Sequence, residues 1–365
     1  MDQRENLISL YQRKGFERIP VYFILCPALQ DEFKKRYGLE KTYQEYFNFP
    51  AKVISDPGFS WDEVIEGFVP ERHFDWAKYY PVPIKPGARI DIWGVAHEPG
   101  GPECVHMTHM RHPLENMQSL KEMEEYPWPD FYKSDFTIFQ PTVDSAHAKG
   151  YAAHVWMECT IWELAWYLRR METIMMDMAM EDEKAYFLFD KITELACYRA
   201  KEFAKLGIDI LALGDDIGMQ NAPMMDMEMY RTWLKPGLKK VIEAAKSVNP
   251  ELIIQYHSCG FVKPFIPDLI DVGVDVLNPV QPECMNVEEI INEYKNYLSF
   301  NGTLGTQTTM PHGTPAEVAQ LTKKNLSIAG KNGGLLCCPT HMLEPEVPWE
   351  NIEAYVEACR NFQIQ

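Results

Sequence analysis

The sequence predicts an α/β protein of the (β/α)8 TIM-barrel type, built as one domain over residues 1–365, and three observations lead there. From about residue 151 onward, short apolar runs alternate with longer segments of helical periodicity, the order that successive βα units around a parallel sheet produce. The runs are apolar without strict alternation, as strands buried on both faces must be. Nearly every run ends in a polar residue able to do chemistry, and the carboxyl ends of the strands are where a parallel barrel builds its active site.

The first candidate strand is "RIPVYFILC", residues 18–26. Residues 40–135 are less regular, rich in Pro, Gly and aromatics ("FVPERHFDWAKYYPVPIKPGARIDIWGVAHEPGG"), and read as an insertion or lid over the barrel mouth, with 60–115 as the covering part. "YAAHVWMEC" is the next strand. Two helical segments follow it, "TIWELAWYLRRMETIMMDMAM" and "EDEKAYFLFDKITELACYRAKEFAKLG", the second stopped by Gly207. Strand "IDILALGDD" leads to "DMEMYRTWLKPGLKKVIEAAKSVNP", in which Pro236 predicts a kink or break. The remaining strands are "LIIQYHSCG", "VDVLNPVQP", "YLSFNGTLG" and "GGLLCCPTH". There is no internal repeat, low-complexity tract or linker.

Composition narrows the function. The formal charge of −18 disfavours nucleic acid and anionic membranes as partners. No apolar run approaches the roughly 20 residues of a membrane-spanning helix. The charged N-terminus "MDQRENLISLYQRKGFERIP" lacks a secretory signal, so a cytoplasmic protein is expected. Nine cysteines, an odd number scattered over a long chain, suggest free thiols or metal ligands and not a disulfide framework.

Read in order, the strand ends carry Glu158; Asp215 and Asp216; His257 and Cys259; Asn278 and Gln281; Asn301 and Gln307; and Cys338 with His341. Asp and Asn are also turn formers and helix caps, a reading evenly balanced for Asn278 and Asn301. His257 and Cys259 are more specific. Side chains two apart on a strand point the same way, so an imidazole and a thiol converge, and both suit zinc in a site that leaves one position open. Further donors come from Cys337, Cys338 and His341 near the last strand, and from Glu158 or Asp216. A rival set, His97, His106, His109 and His112, lacks the spacing of a zinc module and includes Arg111, which opposes a cation.

Four stretches, "WELAWYLRRMETIMMDM", "GDDIGMQNAPMMDMEMYRTWLKP", "HSCGFVKPFIPDLIDVGVDVLNPVQ" and "GGLLCCPTHMLEPEVPWENIEAYVEA", together with "MRHPLENMQSLKEMEEYPWPD", make the chain resemble the uroporphyrinogen decarboxylase superfamily. Within it they resemble the corrinoid-dependent methyltransferases, such as the methyltransferase components of O-demethylase, methylamine and methanol systems. The resemblance implies a (β/α)8 barrel and zinc held by His257, Cys259 and a later residue. Where thiol-methylating members have Pro-Gly-Cys, this chain has Pro339-Thr340-His341, which makes His341 or Cys338 the expected further ligand. The decarboxylase branch binds an anionic tetrapyrrole with arginines after its first strand, and "RIPVYFILCPALQDEFKK" offers none in its pocket-facing part.

The expected activity is therefore transfer of a methyl group from a small methylated donor, an aryl methyl ether being favoured, to the Co(I) corrinoid of a partner protein. The nine Trp, 18 Tyr and 18 Phe suit an apolar pocket for such a donor. Glu158 and Asp216 are the candidate acids, and Asp215, Asn278, Gln281, Asn301 and Gln307 the candidate substrate-binding residues. Alternatives are methylation of a thiol or other acceptor from a methylcorrinoid, a porphyrinogen-type decarboxylase, and a non-catalytic ligand-binding barrel. No cobalamin module is evident in the chain, so the corrinoid would arrive on its partner; a homodimer is a further expectation.

Overall fold

The computed structural model describes residues 1–59, 68–69, 74–100 and 108–363. Its frame is a curled parallel sheet of seven strands: β1 (Ala51–Ser55), β5 (Ala152–Trp156), β6 (Ile210–Gly214), β7 (Ile253–His257), β8 (Val276–Asn278), β9 (Ser299–Asn301) and β10 (Leu335–Leu336), adjacent in that order. Three more strands, β2 (Arg89–Ile90), β3 (Ala96–Pro99) and β4 (Thr108–Arg111), form a separate antiparallel sheet. The α/β barrel-like architecture agrees with the sequence. Among the described residues no helix is long and apolar enough to cross a membrane.

Two strands differ from expectation. Residues 18–26 run extended but make a single bridge, Leu25 to Leu343, instead of a ladder. Cys26 N donates to Leu343 O (3.0 Å) and Leu343 N to Ile24 O (2.8 Å), which seats the run beside the chain leaving β10. The Tyr355 hydroxyl, within reach of Tyr22 N and O and of Cys337 O, ties the two together. Pro20 has no N–H to offer a ladder. Conversely β1, inside the stretch read as irregular, is a full member of the sheet and pairs with β5 from Ala51↔Ala152 to Ser55↔Trp156. Its five residues include Lys52 and Ser55, too few and too polar to signal a strand.

The helices follow their sequence signals. Helix Glu183–Lys205 starts at Asp182, whose carboxylate accepts from Lys184 N, and buries Leu188, Ile192, Leu195, Arg199 and Phe203 at three- and four-residue spacing. Pro236 divides the next helical region, ending the influence of Met227–Trp233 and opening Lys235–Lys246 from its first turn.

A buried ion pair helps bolt residues from the insertion to the barrel. Arg199, on the long helix, bonds Asp56 just after β1, and both side chains are buried. The guanidinium also lies 5.4 Å from the Trp93 ring centroid and 5.1 Å from that of Phe131. The Trp93 indole donates to Gly58 O at 2.6 Å. Replacing one partner leaves the other charge buried and unpaired, which costs about 3–5 kcal/mol. Asp56→Ala is expected to lower unfolding stability by about that amount, measured by denaturant titration; a loss under about 1 kcal/mol would mean that the clamp is not a principal support.

Candidate functional site

The parallel register sets the site. Gly214 of β6, His257 of β7 and Asn278 of β8 lie side by side at the carboxyl ends of their strands. Gly214 is required here: its φ is +155°, and a Cβ would stand 2.3 Å from His257 O and 2.8 Å from His257 Cβ. The loops beyond are packed just as closely. A Cβ on Gly260 would meet the Gly218 backbone at 2.6 Å, and Phe261 N donates to Met219 O at 2.7 Å.

These contacts bring Asp216, His257 and Cys259 together, each half-buried, with one ligand atom apiece lying within 4.8 Å of the others. His257 Nε2 is 3.6 Å from Cys259 Sγ and 3.7 Å from Asp216 Oδ1, which also accepts from Cys259 N at 2.7 Å. The other ring nitrogen, Nδ1, is 2.7 Å from Asn278 Oδ1. Asn278 Nδ2 donates to Asn301 O at 2.9 Å, which fixes the amide so that its oxygen faces the histidine. Nδ1 therefore donates, and Nε2 is the atom turned to the cluster.

Negative charge crowds this point. Burial raises the Glu158 carboxyl, the charge of His257 lowers it and Asp216 raises it again. Glu163 is pushed up to about 8 by burial and then by Asp216 and Asp215. Its carboxylate accepts from Asp216 N (3.2 Å) and from the Tyr167 hydroxyl (3.1 Å). Asp215 is raised to about 7 by burial, against the backbone N–H groups it accepts. For His257, burial works against the charged ring, but Glu158, Cys259 and Asp216 prevail and hold its pKa well above the ordinary value.

The other expected residues divide. Asp215 is buried and accepts from Ile161 N and Glu163 N, anchoring the start of helix Trp162–Arg169. Gln281 Oε1 accepts from Gly260 N at 3.0 Å and so holds the loop carrying Cys259. Asn301 is buried in the barrel interior, where its amide bonds Gln255 and Tyr11 and its Oδ1 accepts from Cys338 Sγ at 3.0 Å. Cys338 is therefore not among the converging ligand atoms: it faces inward beside Asn301. Cys337 is buried next to Thr303. Gln307 and His341 line a cleft of about 410 Å³ together with Cys259, Gln281 and Met342, but His341 stands outside the group of three.

Among the described residues the rival histidines do not converge. His97 Nε2 is paired with Asp91 (3.0 Å), His112 Nδ1 donates to Tyr167 O (2.8 Å), and His109 is exposed on β4; His106 lies outside the described residues. Arg111 is bonded to Glu98 at 2.9 Å. Glu163 carries no signal in the sequence, because it sits in the helix after β5, where a carboxylate is an ordinary first-turn residue.

A curled parallel sheet with a histidine, thiol and carboxylate cluster at its strand ends defines a barrel-type protein with a polar centre in the usual place. The chain belongs to the uroporphyrinogen decarboxylase (URO-D) family, whose model matches residues 115–362. A methyltransferase from Methanosarcina mazei shares the fold over 98% of both chains at 16% identity, with a TM-score of 0.65. Xylanase 10B from Thermotoga petrophila aligns at 12% identity over 57% of this chain and 68% of its own, but with a TM-score of 0.38 that carries no weight. No curated protein matches.

Glu163 and Asp215 bind their protons more tightly in the folded than in the unfolded chain. Their contribution is therefore present below the ordinary carboxylate range and lost as pH rises through about 7 for Asp215 and about 8 for Glu163. In chelator-treated protein, melting temperature should fall between pH 5 and 8, and Glu163→Gln should flatten that slope. An unchanged slope would mean that Glu163 is ionised in the fold.

Proposed function

We propose that the protein is a zinc-dependent methyltransferase that moves a methyl group from a small methylated donor, preferably an aryl methyl ether, to the cobalt of a corrinoid carried by a partner protein. The observation that carries the reading is the meeting of His257 Nε2, Cys259 Sγ and the Asp216 carboxylate at the strand ends. Imidazole, thiolate and carboxylate are the donors zinc takes, and three protein ligands leave a position for substrate. The site also has the support a metal ligand needs, since Asn278 orients His257 through its other nitrogen. Its surplus of carboxylates favours a divalent cation over a lone proton on His257.

Zinc bound there would act as a Lewis acid on the donor's leaving oxygen, which departs poorly as a phenolate or alkoxide without stabilisation. The chain's own residues do the remaining work. His257, Cys259 and Asp216 hold the metal, and His341 lines the cleft from which a substrate would approach the fourth position. Glu158, whose burial favours its protonated form, holds a proton for the departing oxygen. Porphyrinogen decarboxylation is disfavoured: on residues 18–26 the half-buried side chains are Tyr22 and Ile24, where substrate carboxylates would call for cations.

Purified protein is expected to carry about one zinc per chain by elemental analysis, and Cys259→Ser to lose most of it. Asn278→Ala should weaken zinc binding by roughly 10- to 100-fold. Offered a panel of methyl donors, the wild type should methylate free Co(I) cobalamin. Zinc-free protein with full activity, or activity on porphyrinogens and none on methyl donors, would reject the reading.

If Glu158 supplies the proton, Glu158→Gln should lower kcat more than it raises KM. The loss should be larger for electron-rich aryl ethers than for those whose phenolate is already stabilised. Equal losses across such a series would make Glu158 a positioning residue.

A further inference from the structure

Beneath the cluster, the barrel interior has two unlike halves. Register identifies its lining: Trp156 pairs with Ala212, two residues before Gly214 on β6, and Gly214 pairs with His257. Trp156 and His257 therefore share a face, and His154 and Glu158, each two residues from Trp156 along the chain, lie on it as well. On the β7 to β10 side, the polar groups satisfy one another through the bonds among Gln255, Asn301, Tyr11 and Cys338. On the β5 side they do not. Trp156 Nε1 and His154 Nε2 are closed off from water and have no hydrogen-bond partner among the described residues.

Such groups are rarely left unpaired, since a buried donor loses its water and gains nothing in return. His154 is 5% exposed, and burial lowers its pKa to about 3, so the ring is neutral. The two rings stand edge to face with centroids 6.2 Å apart. Tyr22 comes near Glu158 from residues 18–26. Only its backbone takes part in hydrogen bonds among the described residues, and its hydroxyl lies within electrostatic reach of Cys338 and Glu158, on the same interior. Tyr22, Trp156 and Glu158 are all half-buried, so each keeps surface that the packing does not cover.

We infer that the body of the methyl donor lies inside the barrel against Trp156, on the side where Tyr22 and Glu158 stand, is uncharged, and carries an oxygen that accepts a hydrogen bond from the Trp156 indole. The inference rests on the reading of the chain as acting on a methylated donor and narrows the class of that donor. An indole N–H can only donate, so the ligand atom it meets is an acceptor. The lining residues Tyr22, His154, Trp156 and Glu158 include no Lys or Arg, and Glu158 brings a carboxyl group. The positive charge of the cluster is already faced by Glu158, Glu163, Asp215 and Asp216, so an ionised carboxylate beside Trp156 would have no counter-charge of its own, a cost that a neutral phenol or ether oxygen does not carry. The flat faces of Tyr22 and Trp156 suit an aromatic ring.

The test measures binding and needs neither corrinoid nor turnover. Calorimetric titration with 2-methoxyphenol and with 4-methoxybenzoate compares a neutral and an anionic methoxyarene on the same protein. The neutral probe should bind at least about tenfold more tightly, and Trp156→Phe, which keeps an aromatic ring and removes the N–H, should weaken it about tenfold, the worth of one hydrogen bond. In protein with 15N-labelled tryptophan, the Trp156 indole resonance should move on addition of 2-methoxyphenol. Tyr22→Phe and that resonance keep the test available should Trp156→Phe fold poorly. Tighter binding of the anion, unchanged affinity in Trp156→Phe with a stationary indole resonance, or no binding of the neutral probe would overturn the inference. Binding as expected without methyl transfer to cobalamin would reject the proposed activity and leave the pocket assignment standing.

Discussion

The hydrogen bond from His257 Nδ1 to Asn278 Oδ1 is the constraint on which the site depends. It decides which ring nitrogen faces Cys259 and Asp216, and it holds because the other end of the Asn278 amide is occupied by Asn301 O. That in turn requires β7, β8 and β9 to stand in their observed register, with His257 opposite Asn278. Gly214 allows β6 to approach closely enough to bring Asp216 in from the other side, where Asp216 Oδ1 receives Cys259 N. A metal-type cluster is thus a consequence of strand register, one glycine and one amide.

Around this arrangement the fold gathers carboxylates in a manner that stability alone does not favour. Glu158, Glu163, Asp215 and Asp216 surround one histidine, and the first three are displaced toward their protonated forms. Asp215 holds the start of a helix, and Glu163 is held by Asp216 N and Tyr167. A cation supplied from outside would relieve the repulsion. Burial matters as much as charge, because in a low dielectric each unpaired carboxylate is driven to take up a proton.

The architecture was legible because helical periodicity and uninterrupted apolar runs survive in a linear reading, and the His-x-Cys pair because strand geometry alone puts both side chains on one side. Asp216 joined them as one of two acids offered as ligands. What escaped depends on the third dimension. β1 is five residues with two polar side chains, and only its pairing with β5 makes it a strand. Residues 18–26 have strand composition, yet make a single bridge. Cys338 and His341 looked alike as ligands at one strand end, but the first turns into the barrel beside Asn301 and the second onto the cleft wall. Asn278 and Gln281 hold His257 and the loop of Cys259. Many of the aromatics are core. Phe23, Phe33, Tyr43 and Phe47, for example, pack together in a buried cluster on the outer side of the first run.

X-ray absorption at the zinc edge on the purified protein tests the central claim most directly, because it reads the donor atoms and not the activity. The account predicts a first shell containing one sulfur at about 2.3 Å and nitrogen or oxygen atoms at about 2.0–2.2 Å, with the sulfur shell absent in Cys259→Ser. A shell without sulfur in the wild type, or one that keeps its sulfur in the variant, would contradict the assignment of His257, Cys259 and Asp216 as the metal centre.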